Sequence, residues 1–201
     1  MALPPVTFPA PPPELRQHRA AWVRALGRAY FRLSGWRVAG AFPERPQCVA
    51  IVAPHTSNWD FPLGLCLLFG SGLRASWLGK HTLFTGMFGG LLRRLGGIPV
   101  DRSSPQGLVG ECVQAFAANP ALLLALAPEG TRKGPSRWRT GFYQIAVGAS
   151  VPILPVAFDY REHVIHLHPA FTPTGDVEAD LAYLQGLLGS AQGLRPRPEG
   201  A

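Results

Sequence analysis

Two residues that can act together as an acid–base pair lie close to each other in the sequence. His55 and Asp60 occupy the segment 53–60, with four residues between them. An imidazole whose second nitrogen is held by a carboxylate has a fixed tautomer and a stabilised protonated form, which suits it to take a proton from a hydroxyl group. The same residue types at this spacing also occur as ordinary helix caps, so the pair alone leaves both interpretations open.

The residues around His55 predict the elements that position it. The run 48–53 is short, apolar and β-branched, which is typical of a buried parallel strand, and Pro54 prevents the strand from continuing. The polar residues 56–58 are all good helix N-caps. Asp60 is therefore expected in the first turn of a helix, where the helix dipole favours a carboxylate and where the turn can bring it back towards His55.

The rest of the chain alternates short apolar runs with helical stretches, which predicts an α/β fold. We expect a single domain with a mixed, largely parallel sheet flanked by helices. Ligands gather at the carboxyl ends of such strands, and His55, Asp101, Arg102 and Glu129 each follow a predicted strand, so we expect them to converge. The predicted strands are 48–53, 75–78, 98–100, 121–127 and 153–159, and the predicted helical stretches are 61–73, 83–95, 105–119 and 143–148.

Composition and charge narrow the class of protein. A chain of 201 residues with 47% hydrophobic and 15% charged residues is globular, not disordered. Its net charge of +7 is concentrated in residues 1–154 and favours an anionic partner. Zinc-finger spacing, an RNA-binding signature and a Lys-rich tail are all missing from the sequence, so phosphate headgroups or a phosphorylated ligand fit better than nucleic acid.

The cysteines and the termini indicate the compartment. The three cysteines are isolated and lie in apolar surroundings, which favours buried thiols in a reducing compartment and hence a cytoplasmic location. Residues 1–13 are expected to be a flexible Pro-rich arm, neither signal peptide nor spanning helix, and residues 193–201 a flexible tail. The apolar stretch 61–73 is interrupted by Pro and Gly and is shorter than the ~18 residues that a membrane span needs.

The segment 14–40 predicts a basic amphipathic helix. Such a helix can lie in the headgroup layer of an anionic membrane, with Arg on phosphates and Trp at the boundary, or it can pack its apolar stripe onto the domain 41–192. The sequence leaves both possibilities open. The apolar stripe consists of Leu15, Trp22, Leu26, Ala29 and Leu33, and the basic residues on another face are Arg24, Arg28 and Arg32.

A second group of chemically useful residues follows the predicted strand 121–127. Arg132 can grip a phosphate bidentately, Thr131 can donate its hydroxyl, and Gly130 lets backbone N–H groups approach an anion. Together with Glu129 they form either an anion site or an ordinary solvated turn.

Three more cations are candidates for contact with phosphate. Arg102 ends a Gly-Gly strand motif at 96–102, and its alternative is a surface ion pair with Asp101 that contributes little. Lys80 and Arg139 are the other two, and each can equally be a solvated surface cation.

Taken in order, these motifs resemble the four sequence blocks of the glycerolipid acyltransferases, the group typified by bacterial 1-acylglycerol-3-phosphate acyltransferase. The resemblance covers roughly residues 48–160, and the ordered set is far more specific than any single block. The blocks are His-x4-Asp at 55–60, the Gly-Gly strand ending in Arg at 96–102, Pro-Glu-Gly-Thr-Arg at 128–132 and Val-Pro-Ile-Leu-Pro-Val at 151–156.

The resemblance implies an acyltransferase that moves a fatty acyl group to the hydroxyl of a lysophospholipid, with 1-acylglycerol-3-phosphate as the expected acceptor. The donor is expected to be acyl-CoA or acyl-carrier protein, with no further cofactor and no metal. The resemblance assigns the general base to His55, its orientation to Asp60, and binding of the phosphorylated acceptor to Arg102 and to Glu129 through Arg132. It also implies a cytoplasmic protein on the inner face of the cell membrane.

The sequence departs from the common family pattern at two places. Pro54 stands where Asn more often precedes the His, and Ile-Pro-Val at 98–100 replaces the more usual Phe-containing run before the Arg. These departures, together with the segments 77–81 and 138–142, resemble a short bacterial branch of the family and leave the acceptor open.

Other functions receive less support from the sequence. His166 and His168 lie on one face of a predicted strand but lack further metal ligands nearby in the sequence, so half-buried strand histidines are favoured over zinc. The Gly-x-Ser-x-Gly elbow of serine hydrolases is missing, as is the spacing of a phosphate-binding loop. The alternative to an enzyme is a non-catalytic scaffold that binds acidic lipid through the segment 14–40, and nucleic-acid binding ranks third.

Overall fold

The structure, a computed structural model, describes residues 6–100, 105–129 and 138–195. These residues form six α-helices and seven strands. The helices are α1 (Ala21–Ser34), α2 (Asp60–Ser71), α3 (Gly89–Arg94), α4 (Pro105–Ala118), α5 (Gly141–Ala149) and α6 (Val177–Leu188). The strands are β1 (Arg37–Gly40), β2 (Gln47–Ala53), β3 (Ser76–Lys80), β4 (Gly97–Val100), β5 (Leu122–Leu126), β6 (Ile153–Asp159) and β7 (Val164–Leu167), and 3₁₀ turns lie at Pro13–Leu15 and His81–Leu83.

All seven strands lie in one sheet in the order β1-β7-β6-β2-β5-β3-β4. Strands β6, β2, β5, β3 and β4 run parallel, whereas β7 pairs antiparallel with β6 and β1 pairs parallel with β7. The central strands β2 and β6 are almost wholly buried, as expected for parallel strands covered on both faces. The prediction of a single α/β domain with a mixed, largely parallel sheet is confirmed.

The chain leaves the two neighbouring strands β2 and β5 in opposite directions. It crosses from β2 through α2 to β3, and from β5 through α5 to β6 on the other side of β2. Helix α2 packs in one hydrophobic cluster through Leu63 and Leu67, and α5 packs in the other through Phe142 and Ile145, so the two helices cover opposite faces of the sheet. Such a divergence leaves a crevice at the carboxyl ends of the two strands.

Helices α1 and α2 approach each other closely because small residues meet at their contact. A Cβ atom added at Gly27 would lie 2.6 Å from the backbone nitrogen of Gly70, so no larger residue fits there without moving a helix. The Arg28 Nε–H donates to the carbonyl of Gly70 at 3.1 Å, and Phe31 is completely buried against α2 and the sheet. The inward face of α1 is therefore the one that carries Gly27 and Phe31.

The N-terminal part of the chain differs from its prediction. A single helix over 14–40 is wrong, because α1 occupies only Ala21–Ser34. Arg16 forms an isolated antiparallel bridge with Leu73, which keeps the chain extended before α1. Gly35, with φ of 74°, ends α1 in the left-handed conformation, and the chain then enters β1.

The described parts of both predicted flexible ends contact the fold. In the arm 1–13, Pro11 and Pro12 are buried, and the Phe8 ring packs edge-on against Phe31 at 5.0 Å. In the tail 193–201, Gly193 packs against Thr56, which is one residue away from His55. Within the described residues, the arm therefore contacts the fold through apolar side chains, and the tail contacts it through Gly193 and the backbone of Arg195.

Three further elements differ from the predictions. Strand β1 and helix α6 were not predicted, and the helical stretch expected over 83–95 is helical only in α3. Strand β1 has four residues and is mostly exposed, so it lacks the long apolar run on which strand prediction depends. Within the described residues, no helix is both long enough and apolar enough to cross a bilayer.

Candidate active site

The His55 and Asp60 side chains are in direct contact at the carboxyl end of β2. The Nδ1 atom of His55 lies 2.9 Å from Oδ2 of Asp60. The carboxylate side chain is only 2% exposed, whereas the imidazole is 26% exposed. The imidazole thus has one nitrogen held in the interior, while part of the ring remains open to a substrate.

Asp60 accepts hydrogen bonds from three donors. In addition to His55, the backbone N–H of Ser57 donates to Oδ2 at 2.9 Å, and the Tyr160 hydroxyl donates to Oδ1 at 2.7 Å. Burial by itself would raise the pKa of Asp60, but the hydrogen bonds from His55, Tyr160 and Ser57 more than offset that effect and hold the pKa below its ordinary value. The group is therefore a carboxylate at neutral pH and can stabilise a protonated imidazole.

The local sequence brings Asp60 back to His55 through the start of α2. Asp60 is the first residue of α2, as its predicted place in the first turn required, but the N-cap is Trp59 and not one of residues 56–58. The Ser57 hydroxyl accepts from the Trp59 N–H at 3.1 Å while the Ser57 N–H donates to Asp60. This reciprocal arrangement resembles a capping box and closes a tight turn between the strand and the helix.

Glu129 contacts the segment that carries the histidine. It follows β5, the strand beside β2, and its Oε2 accepts the backbone N–H of His55 at 3.1 Å. The residue is 3% exposed. A carboxylate accepts hydrogen bonds and repels phosphate. In this position Glu129 can fix the His55 backbone or accept a hydrogen bond from a substrate hydroxyl. Direct contact with a phosphate group would have to come from the positively charged side chains.

The other predicted binding residues are brought together less closely or lie outside the described residues. Lys80 ends β3, two strand positions from β2, and is exposed. Strand β4 ends three positions from β2, which corresponds to about 14 Å between strand axes. The two residues after β4, Asp101 and Arg102, lie outside the described residues. The same is true of Gly130, Thr131 and Arg132, which come after β5 in the sequence.

Two contacts of the site were not found from the sequence. Tyr160 follows β6, the other neighbour of β2, and reaches Asp60 across 100 positions of the chain. The N–H of Arg195 donates to the Thr56 hydroxyl at 3.3 Å. The only available signal for Tyr160 was its position just after a predicted strand, which is the same signal that pointed to His55 and Glu129.

The described residues contain no group of three or more His, Cys, Asp or Glu side chains able to hold a metal ion. His166 and His168 stack on each other with ring centroids 6.0 Å apart, which is consistent with half-buried strand histidines.

A cavity of about 390 Å³ lies at the amino end of β2, next to Gln47 and Phe116. It is therefore on the opposite edge of the sheet from His55.

The chemistry available to the described site is proton transfer to and from a substrate hydroxyl. With Nδ1 bonded to Asp60, the neutral imidazole carries its proton on Nδ1 and has a lone pair on Nε2. Burial raises the pKa of Cys48 to about 12, and burial together with Glu111 raises the pKa of Cys112 to about 11, so neither thiol is a ready nucleophile. The Ser57 hydroxyl is engaged with the Trp59 N–H.

The described site thus places a His–carboxylate pair at the carboxyl ends of the strands of a mixed α/β sheet, an arrangement suited to acid–base chemistry. The family model described as Acyltransferase matches residues 38–159, which include β2, His55, Asp60, Glu129 and all of β6. The chain belongs to this acyltransferase family, in agreement with the acyltransferase class that the ordered motifs predict.

A solved structure shares the fold. The crystal structure of PlsC, the 1-acyl-sn-glycerophosphate (LPA) acyltransferase from Thermotoga maritima, superposes with a TM-score of 0.55 at 17% sequence identity. The match covers 88% of this chain and 80% of that chain. No curated protein matches the sequence significantly.

Proposed function

We propose that the protein transfers a fatty acyl group from acyl-CoA or acyl-carrier protein to the free hydroxyl of a lysophospholipid, with 1-acylglycerol-3-phosphate as the acceptor. The observation that carries this proposal is the 2.9 Å contact between Nδ1 of a partly exposed His55 and the buried Asp60 carboxylate, within a chain of the acyltransferase family. The acceptor is suggested by the ordered sequence motifs and by the function of the structurally similar PlsC.

In the proposed mechanism His55 acts as a general base. Its Nε2 takes the proton from the acceptor hydroxyl while that oxygen attacks the thioester carbonyl carbon. The C–S bond then breaks, and the imidazolium returns the proton to the departing thiolate. Asp60 stabilises the imidazolium through its hydrogen bond to Nδ1. Because a thioester is already activated, the transfer needs no covalent acyl-enzyme.

The positively charged residues of the motifs are proposed to bind the acceptor phosphate. Arg102 and Arg132 are assigned this role by the family resemblance, with Gly130 and Thr131 supplying N–H and O–H donors. Lys80 adds a charge at the same edge of the sheet, since it ends β3. Glu129 is proposed to fix the backbone of His55 through the 3.1 Å hydrogen bond.

A panel of acceptors tests the reaction and its substrate together. Purified protein is given radiolabelled palmitoyl-CoA or palmitoyl-carrier protein with lysophosphatidate, lysophosphatidylethanolamine, lysophosphatidylglycerol or glycerol 3-phosphate. We expect labelled phosphatidate from lysophosphatidate with at least one donor. Transfer to another lysolipid alone would keep the acyltransferase activity and replace the acceptor, and no transfer from either donor to any acceptor would contradict the proposal.

The same protein is proposed to bind the surface of an anionic membrane, from which a lysophospholipid would be drawn. Most of the predicted apolar stripe faces outwards on α1, where Trp22, Leu26 and Leu33 are 71%, 57% and 79% exposed. Leu15, which was predicted to belong to the stripe, lies before α1 and is buried at 1% exposed. The opposite face, with Gly27 and Phe31, packs on α2. Arg32, next to Leu33 in the sequence, is also exposed, so a cationic group borders the apolar stripe.

The double substitution Leu26→Asp/Leu33→Asp tests this surface. Each exposed leucine that enters the interface contributes about 1.5–3 kcal/mol when fully buried, so we expect vesicle affinity to fall at least about 10-fold. Co-sedimentation with vesicles of phosphatidylglycerol and phosphatidylcholine measures it. Val147→Asp is the matched control, since Val147 is 50% exposed on α5 over the opposite face of the sheet. Equal binding by all three proteins would contradict the proposal.

A further inference from the structure

Tyr160 reaches the candidate site from the end of β6, which is the neighbour of β2 on the side away from β5. Strand β6 pairs with β2 in parallel, with Ala157 opposite Ala53, so the residues that follow the two strands emerge at the same edge of the sheet. His55 lies two positions after Ala53, and Tyr160 lies three positions after Ala157. The Tyr160 hydroxyl donates to Oδ1 of Asp60 at 2.7 Å, and so approaches the carboxylate at the oxygen that His55 does not contact.

The ring of Tyr160 is held from two directions. It packs edge-on against Trp36 with ring centroids 4.9 Å apart, and Trp36 is itself stacked on His163 at 5.4 Å. The backbone N–H of Tyr160 donates to the carbonyl of Gln192 at 2.8 Å, which ties the residue to the segment after α6. The hydroxyl is therefore presented to Asp60 by a framework of contacts from β6, from the residues before β1 and from the C-terminal segment.

The two oxygens of Asp60 have separate partners. Oδ2 accepts from His55 and from the Ser57 backbone, and Oδ1 accepts from Tyr160. Because the Asp60 side chain is 2% exposed, loss of the Tyr160 donor would leave Oδ1 without this hydrogen bond in a region that water barely reaches. The carboxylate would then be free to turn about its Cβ–Cγ bond, and that rotation would change the position of the imidazole.

We infer that Tyr160 is a positioning residue for the reaction, which extends the His55–Asp60 pair to a chain of three residues and fixes the rotation of the Asp60 carboxylate. The inference rests on the proposed function. Burial, the hydrogen bond to Asp60 and the nearby Asp60 and Tyr30 all raise the pKa of Tyr160, so the phenol stays protonated and remains a donor throughout the working pH range. A side chain that lacked this hydroxyl would preserve the packing on Trp36 and lose the positioning.

Tyr160→Phe is the variant that separates the two contributions, because it removes the hydroxyl and retains the ring. We expect kcat for acyl transfer to fall about 10-fold, while KM for the acyl thioester stays within about two-fold of the wild type. Removing a donor to the carboxylate also raises the pKa of Asp60, in a site where His55 and the Ser57 N–H are its other partners. The Asp60 carboxyl titration, followed by ¹³C NMR, checks that direction.

Tyr183→Phe serves as the matched control, since Tyr183 is 55% exposed on α6 and stacks on Phe171, away from the His55–Asp60 pair. We expect its kcat to equal that of the wild type. All assays are run at least 15 °C below the lowest melting temperature, measured for each protein, so that a loss of folded protein does not count as a loss of rate.

The outcomes separate this inference from the proposed function. An active wild type with an unchanged kcat in Tyr160→Phe overturns the inference alone, whether or not the melting temperature changes. A wild type without transfer from either donor to any acceptor overturns the proposed function and this inference with it. A fall in kcat for Tyr160→Phe, with KM unchanged and Tyr183→Phe unaffected, supports positioning.

Discussion

Replacement of His55 by alanine is expected to lower acyl transfer by about two to four orders of magnitude, because the acceptor hydroxyl loses its general base. The effect should fall on kcat, with KM for the acyl thioester little changed, since the imidazole acts on the hydroxyl proton and not on the donor. The fold should survive the change. His55 is partly exposed, and its backbone N–H, which donates to Glu129, remains in the alanine variant.

Initial rates with wild-type and His55→Ala protein, at matched concentrations of folded protein, measure this effect. His166→Gln is the control, because His166 is a half-buried strand histidine whose ring stacks on His168. Its rate should match the wild type. A residual rate in His55→Ala within about three-fold of the wild type would refute the assignment of His55 as the base.

The same variant distinguishes the enzyme from the lipid-binding scaffold. The outward stripe of Trp22, Leu26 and Leu33 lies on α1, and His55 lies at the carboxyl end of β2, so lipid binding and proton transfer depend on different residues. Loss of transfer with vesicle binding retained supports an enzyme that works at a membrane surface. A wild type that binds vesicles and transfers nothing, with His55→Ala behaving identically, would favour the scaffold.

The contact between His55 and Asp60 was predictable because it is local. The strand before His55 is apolar and β-branched, Pro54 ends it, and Asp60 starts the next helix, so one turn of chain brings the two side chains together. The approach of Glu129 to His55 was also expected, since both follow parallel strands. The order of those strands, which makes β5 a direct neighbour of β2, could not be read from the sequence, because it depends on which helices cross which face.

The contacts that sequence analysis missed depend on distant parts of the chain. The position of Tyr160 just after a predicted strand places it at the right edge of the sheet, but it does not identify Asp60 as its partner, because the hydrogen bond requires β6 to lie beside β2. Periodicity showed that α1 has an apolar stripe, but it did not show which face would pack. The close approach at Gly27 and the burial of Phe31 decide that point, since only a face with a glycine admits the backbone of α2 so closely.

Asp60→Asn is expected to reduce kcat by about two to four orders of magnitude and also to destabilise the fold. The amide presents an NH₂ group in place of one acceptor oxygen, yet His55, Ser57 and Tyr160 all point donors at this side chain. At least one donor must lose its acceptor, at a cost of about 1–3 kcal/mol in a buried site. The histidine also loses the charge that stabilises its protonated form during the transfer.

The pH dependence of this destabilisation has a definite sign. Since the folded protein holds the pKa of Asp60 below its ordinary value of 3.8, the carboxylate contributes stability that is fully present above that pH and is lost as the pH falls through the lower folded value. Urea unfolding from pH 7 to pH 3 should therefore show the free energies of unfolding of the wild type and Asp60→Asn converging below about pH 4.

Asp176→Asn is the control, because asparagine keeps the N-cap of α6 and should leave both rate and stability near wild type. A stability difference that stayed constant down to pH 3 would mean that the charge of Asp60 does not stabilise the fold, and an Asp60→Asn enzyme with full activity would remove the carboxylate from the mechanism.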